Sequence, residues 1–341
     1  MPDVIAAEEA VAEAVARADR VDPQGSGTHR EVGGPPPVDA VAVRAPAGIV
    51  AYDPADLTVC VGAGTTVRDL QAELATAGQE CALDPRDDRA TVGGTLATGL
   101  SGLRRLRVGP LRDQVLEVRF ATAEGRLVRG GGPTVKNVTG YDLPRLLVGS
   151  LGTLGVLTRV ILRCRPLPAV AWWGSTDASP TDVRAACFRP SAILSDGDAT
   201  TVLLEGHGDD VDAQARAAGL VACEPPALPS GQHCGRIAAP PSTLTALGAA
   251  LDELGVRWLA EHGVGTVHVA TDEEEQLARA RGAAHAVGGW LLREAGAPNL
   301  DGHGVPLPNH ALAERVRVAF DPTGKLAPGR LPLGRAAGAV A

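Results

Sequence analysis

The sequence predicts an α+β protein with two domains, and three observations carry that reading. At 341 residues the chain is long enough for two domains with buried cores. Short runs of strand composition, such as Ile49–Tyr52 and Thr58–Val61, alternate with runs of helical period, such as Val67–Ala77. Many of the 42 glycines cluster between small and β-branched residues, above all in Ala90–Gly102, which reads ATVGGTLATGLSG. Aromatic residues make up only 3% of the chain, so Ala, Val, Leu and Gly must fill the interior.

Taken in order, Val4–Arg20 reads as an amphipathic helix with Val4, Ile5, Val11, Val15 and Ala18 near one face. Val21–His29 reads as a strand running into a glycine turn, and Gly33–Pro37 as a loop. Ala40–Val43, Ile49–Tyr52 and Thr58–Val61 have strand composition, broken by Pro46 and Pro54. Thr66 followed by Asp69 resembles a capping box for a helix that Gly78 ends. Gln114–Thr122 and Gly125–Arg129 form a hairpin-like pair around Glu124–Gly125. Pro166 and Pro168 mark a boundary; the stretch from Ala169 to Pro240 carries no regular pattern, and beyond it Leu244–Leu254 and Glu273–Arg281 read as helices and Val264–Ala270 as a strand.

Composition narrows the function. The net charge of −8 argues against nucleic acid or an anionic membrane as a direct partner. No run of about 18 apolar residues is present, so no transmembrane helix is expected. The first twenty residues are acidic and lack the basic start of a signal peptide. None of the six cysteines forms a CxxC pair, which argues against an iron–sulfur or zinc site and suits a reducing cytoplasm.

The glycine-rich segments point to phosphate. Gly93–Gly94 lets a backbone pass close to a ligand, and Thr91, Thr95, Thr98 and Ser101 add hydroxyls beside backbone donors. Such a surface can hold a pyrophosphate without a positive side chain. Arg104, Arg105 and Arg107 read either as a solvated face or as a site that gathers an anion.

Four segments in a specific order resemble a known family. They are ATVGGTLATGLSG, GPLRDQVLEVRFATAEGRLVRGGG, VKNVTGYDLPRLLVGSLGTLGVLT and, near the end, AFDPTGKLAPGR. They resemble the vanillyl-alcohol-oxidase, or PCMH-type, FAD flavoproteins, and within them the FAD-binding subunits of bacterial glycolate oxidases. The resemblance implies a PCMH-type FAD-binding domain of two α/β subdomains over residues 1–168. It implies a smaller α+β cap over 169–315 and a return to the first domain over 316–341. It places Gly25, Ser26, Gly27 and Thr28 at one phosphate turn, and Thr91, Val92, Gly93, Gly94 and Thr98 at the pyrophosphate. Pro85 falls near the flavin ring, with Lys136, Asn137, Tyr141 and Asp142 beside it. Gly149, Gly152 and Gly155 approach the adenine or ribitol, and Val156 makes a backbone contact to the flavin. FAD is expected to be non-covalent, although His29 follows the first turn.

The resemblance also bears on catalysis. The family cap supplies a metal motif, His-x-Gly-Asp-Gly-Asn-Leu-His, and a later Gly-Glu-His-Gly. Here those regions read Glu261–His268, with Val264 in place of the Asp, and Asp301–Gly304, with Gly302 in place of the Glu. His303 matches the family base. No metal is expected, because a divalent ion wants about three protein ligands. The resemblance thus implies a subunit of a glycolate, or D-2-hydroxyacid, oxidising complex. Its partners would be a longer FAD-containing catalytic subunit and an iron–sulfur subunit, in the cytoplasm or at a membrane through those partners. The alternatives are a free-standing FAD-dependent alcohol or hydroxyacid dehydrogenase using His303 or Tyr141, and a flavin-free scaffold.

Overall fold

Helix α1, Pro2–Arg17, is rich in Ala and Glu, both strong helix formers. The computed structural model describes residues 2–133, 141–304 and 309–331. Along α1, Val11 and Val15 are buried, as their spacing predicts, but so is Glu8. Its carboxylate accepts from Thr158 Oγ1 at 2.9 Å and lies 3.4 Å from Arg159 and 3.6 Å from Arg119. A buried carboxylate needs such partners, and losing one costs roughly 3–5 kcal/mol. A sheet thereby claims the helix through a charge that periodicity does not reveal.

The chain continues through β1 (Val21–Pro23), β2 (Val41–Val43), β3 (Ile49–Asp53), β4 (Thr58–Gly62), α2 (Val67–Ala75) and β5 (Gln79–Glu80). Thr66 caps α2 by accepting from Asp69 N. The glycine stretch after Ala90 contains a short helix, α3 (Val92–Thr98), capped by Thr91. A seven-residue helix with two glycines is poor on propensity alone; here Val92 and Leu96 are fully buried and packing holds it. Then come α4 (Arg105–Val108), β6 (Val115–Ala121), β7 (Leu127–Gly131), α5 (Leu143–Leu147), β8 (Val156–Arg163) and β9 (Arg165–Pro166). Strands β3-β4-β8-β6-β7 form one antiparallel sheet, while β1 and β2 pair in parallel.

The remaining elements are β10 (Val170–Thr176), α6 (Pro180–Ala186), β11 (Ala192–Ser195), β12 (Thr200–Gly206), α7 (Gly208–Ala217), β13 (Val221–Ala222), β14 (His233–Ala238), α8 (Leu244–Glu253), β15 (Arg257–Glu261), β16 (Thr266–Thr271), α9 (Glu274–Ala286), β17 (Trp290–Ala295) and α10 (His310–Phe320). Eight of these strands form a second antiparallel sheet, β13-β10-β12-β11-β15-β16-β14-β17.

The elements group into two units. One comprises Met1–Gly102, Pro110–Leu167 and Pro306–Ala341; the other comprises Leu103–Gly109 and Pro168–Val305. Compared with the expected segments, the second unit also takes the arginine run, and the return to the first begins about ten residues earlier. In the first unit, Val59, Leu70, Leu83, Leu96, Phe120 and Val160 form the main core, and Phe320 of α10 stacks on Phe120 with centroids 6.3 Å apart. In the second, Leu247, Leu251 and Leu277 of α8 and α9 cover Ile237, Val267 and Leu291 of the sheet.

Candidate flavin cradle and cap site

Three glycine-rich segments of the first unit converge on two adjoining concavities. Pro23, Gln24, Gly25, Thr91, Gly94, Ala97 and Gly152 line both. Ser26, Gly27, Thr28 and Thr98 line the first, and Gly93, Gly155 and Val156 the second.

The first segment leaves β1. Gln24 N donates to Val43 O at 2.9 Å, which ends the ladder. Arg44 then braces the turn, donating to Gly25 O at 2.8 Å and to Gln24 Oε1 at 2.7 Å. Among the described residues, the backbone N–H groups of Gly25, Ser26, Gly27 and Thr28 donate to no protein acceptor. Four successive free donors along a concavity form an anion-binding surface. Gly27 has φ +86°, and a Cβ there would meet nothing within 4 Å, so its conformation favours glycine while the space beside it is open.

The second segment behaves differently. Val92 N donates to Thr65 O at 2.8 Å and Gly93 N to Ala63 O at 2.7 Å. Gly94 N donates to Thr91 Oγ1 at 3.1 Å. The hydroxyls of Thr95 and Thr98 donate to Thr91 O at 2.9 Å and Gly94 O at 3.0 Å. These three N–H groups and the Thr95 and Thr98 hydroxyls are therefore spent within the protein, and the Val92 side chain lies in the core. Glycine serves here for approach: a Cβ on Gly25 would overlap Thr91 Oγ1, so the first two turns meet only because Gly25 has none. The third segment docks on the end of α3, with Gly149 N donating to Leu96 O at 2.9 Å and Leu151 N to Ala97 O at 2.8 Å.

Pro85 and Tyr141 line neither concavity, and Tyr141 is 93% exposed. Lys136 and Asn137 lie outside the described residues. Asp142 caps α5 by accepting from Arg145 N at 3.1 Å.

Positive side chains enter the cradle, contrary to the expectation of a purely backbone site. Arg30 and Arg330 line the first concavity, and among the described residues no carboxylate does. Buried Asp22 lies between them, 3.2 Å from each guanidinium. Burial pushes the Arg330 guanidinium below its ordinary range; the Asp22 charge opposes that shift and Arg30 adds to it. The signal available in the sequence was the APGR run closing the fourth family-like segment.

In the second unit, the two remaining metal-motif positions pair with each other. His268 Nε2 lies 2.8 Å from Glu261 Oε1, and both side chains are buried. His303 is buried with its ring stacked on Trp290 at 6.1 Å. Burial pushes its pKa below the usual histidine range, with the Asp301 charge opposing. The Asp301 carboxylate accepts from the backbone N–H of His303 at 2.8 Å and of Gly304 at 2.6 Å. The arginine run is neither a free face nor an open anion site throughout. Arg104 pairs with the buried carboxylate of Glu205 at 3.0 Å, and Arg107 donates to Glu205 O at 2.8 Å.

Comparison with known proteins places this geometry. Residues 4–131 match the FAD binding domain family. The chain is 43% identical over 147 residues to glycolate oxidase subunit GlcE of Escherichia coli, covering 42% of each protein. It is 41% identical over 110 residues to a D-lactate dehydrogenase of Archaeoglobus fulgidus, covering 32% of this chain and 25% of that one. It is 32% identical over 197 residues to glycolate oxidase subunit GlcD of Bacillus subtilis, covering 54% and 42%. The matches span less than half the length of each of these relatives. A solved structure of alkyldihydroxyacetonephosphate synthase shares the fold, with TM-score 0.66 over 94% of this chain and 74% of that one, at 14% identity. The free N–H turn and the glycine approaches fit a dinucleotide's diphosphate; the chain carries an FAD binding domain of PCMH-type fold, and FAD is its cofactor.

Proposed function

We propose that this chain is the FAD-carrying subunit of a complex that oxidises a small 2-hydroxyacid such as glycolate. Its partners in this reading are a longer FAD-containing catalytic subunit and an iron–sulfur subunit. The observation that carries the reading is an asymmetry between two sites. The Gly25–Thr28 turn of the cradle keeps its donors free, whereas the second-unit residues that would hold a metal in the family pair with each other, as His268 with Glu261. The relatives named glycolate oxidase subunits support the substrate class and the multi-subunit setting. Among the described residues no group of three or more His, Cys, Asp or Glu is placed to hold a metal.

Bound FAD supplies reversible electron transfer. The chain's own contribution is to hold it: Gly25–Thr28 bind the diphosphate with backbone N–H groups, and Gly94 and Gly152 admit it closely. Val156 presents the start of β8 to the second concavity. Six free thiols suit a reducing cytoplasm, and no described helix is long and apolar enough to cross a membrane, so any membrane contact would come through partners.

The test is to purify the chain alone and with its co-expressed neighbours, record the visible spectrum, and assay glycolate-dependent dye reduction. The proposal expects flavin in both samples and turnover only in the complex. Full turnover by the isolated chain would favour the second reading, a free-standing dehydrogenase in which the neutral, buried imidazole of His303 acts as base.

A further inference from the structure

The buried guanidinium of Arg330 has no role in holding the fold that its partners fully account for. Its side chain is 8% exposed, and Nη2 lies 3.2 Å from Asp22 Oδ1. Its Nε, also buried, has no hydrogen-bond partner among the described residues. Asp22 is shared, because Arg30 Nη2 lies 3.2 Å from the other carboxylate oxygen. Two guanidinium groups and one carboxylate leave one net positive charge, and both arginines line the concavity with the free N–H groups of Gly25–Thr28.

Placement reinforces the point. The segment before Arg330 is clamped to the strand that leads into the turn: Val21 N donates to Lys325 O and Ala327 N to Val21 O, each at 2.8 Å. A buried cation with an unused donor costs stability unless an anion completes it. The fold holds that cation in the same concavity as the turn that carries the four free donors.

We propose that Arg330 is a ligand of the cofactor's diphosphate, and that Asp22 is the positioning residue that holds it there. The cradle then reads phosphate charge as well as backbone fit. This rests on the flavin reading given above, and the experiment separates the two.

Apo-protein is titrated with FAD and with ADP, a diphosphate without a flavin, at rising ionic strength. The readouts are flavin fluorescence and, for ADP, heat of binding. Wild type is expected to bind both, with affinity falling as salt rises. Arg330→Met is expected to bind FAD and ADP about 10- to 100-fold more weakly, as for loss of a charge-assisted hydrogen bond, with a flatter salt slope. Arg330→Lys should restore the slope and part of the affinity. Circular dichroism and Tm check the fold. If Arg330→Met does not fold, the double variant Asp22→Asn/Arg330→Met removes both buried charges and replaces it in the same titration. Wild-type affinity for FAD and ADP that is insensitive to salt overturns the proposal. So does a folded Arg330→Met or double variant with wild-type affinity and slope. A wild type that binds ADP but not FAD would leave Arg330 as a diphosphate ligand and overturn the flavin reading.

Discussion

Two turns of similar composition, Gly25–Thr28 and Thr91–Gly94, end in opposite states. Both mix glycine with Ser or Thr, and both line the cradle. In the first, the backbone N–H groups donate to no acceptor among the described residues; in the second, Val92, Gly93 and Gly94 donate to Thr65, Ala63 and Thr91. The difference teaches that glycine-rich turns contribute to a phosphate site in two distinct ways. One supplies donors. The other supplies a wall that stands close because no Cβ intervenes.

That contrast can be broken by substitution, and the largest effect belongs to the point where the turns touch. Gly25→Val puts a side chain where Thr91 Oγ1 already lies, so it should abolish FAD retention and lower Tm together. Wild-type absorbance at the flavin band and an unchanged Tm would show that the turns do not need this approach. Gly94→Val should come next. A Cβ there meets only Thr91 Oγ1, at 3.0 Å, so the fold should survive while the added methyl groups enter the cradle. Purified Gly94→Val protein is expected to be colourless with near-native circular dichroism; stoichiometric flavin would remove Gly94 from the site. Thr91→Ala sharpens the comparison from the other side. It removes the cap of α3, which costs about 1 kcal/mol, and it leaves the free N–H groups of Gly25–Thr28 in place. Urea denaturation should report the stability loss while FAD affinity changes little.

The smallest expected effect lies in the second unit. His303 has its pKa lowered by burial, so the folded protein holds it neutral where the unfolded chain begins to take a proton. Its contribution to stability is present above the unfolded pKa of about 6.5 and is lost as pH falls below that value. His303→Gln should flatten the acid side of a Tm-against-pH curve; identical curves for both proteins would show that the imidazole charges freely in the fold.

How much of this was legible in the sequence depends on whether a feature is local. The first turn was readable because its glycines, serine and threonine follow a strand, and turn chemistry is local. The hairpin of β6 and β7 and the cap at Thr66 were readable for the same reason. The helix α3 was not, because Val-Gly-Gly-Thr has weak helix propensity and only burial of Val92 and Leu96 decides the matter. The engagement of the Thr95 and Thr98 hydroxyls was not readable, because composition cannot say whether a donor is already spent. Glu8, Asp22 and Arg330 were invisible as buried charges, since each is defined by partners far along the chain. The strands between Ala169 and Pro240 went unassigned because their edges pair with distant segments, as β14 does with β16 and β17.

The clamp between Val21 and the Lys325–Ala327 stretch has a consequence for biogenesis. The wall contributed by Arg330 comes from more than three hundred residues downstream of the turn it faces. At about 5–20 residues per second of synthesis, the turn waits on the order of a quarter of a minute or longer for its counter-charge. Flavin capture in its final form is thus a late event, timed by translation of the closing segment rather than by folding of the opening one.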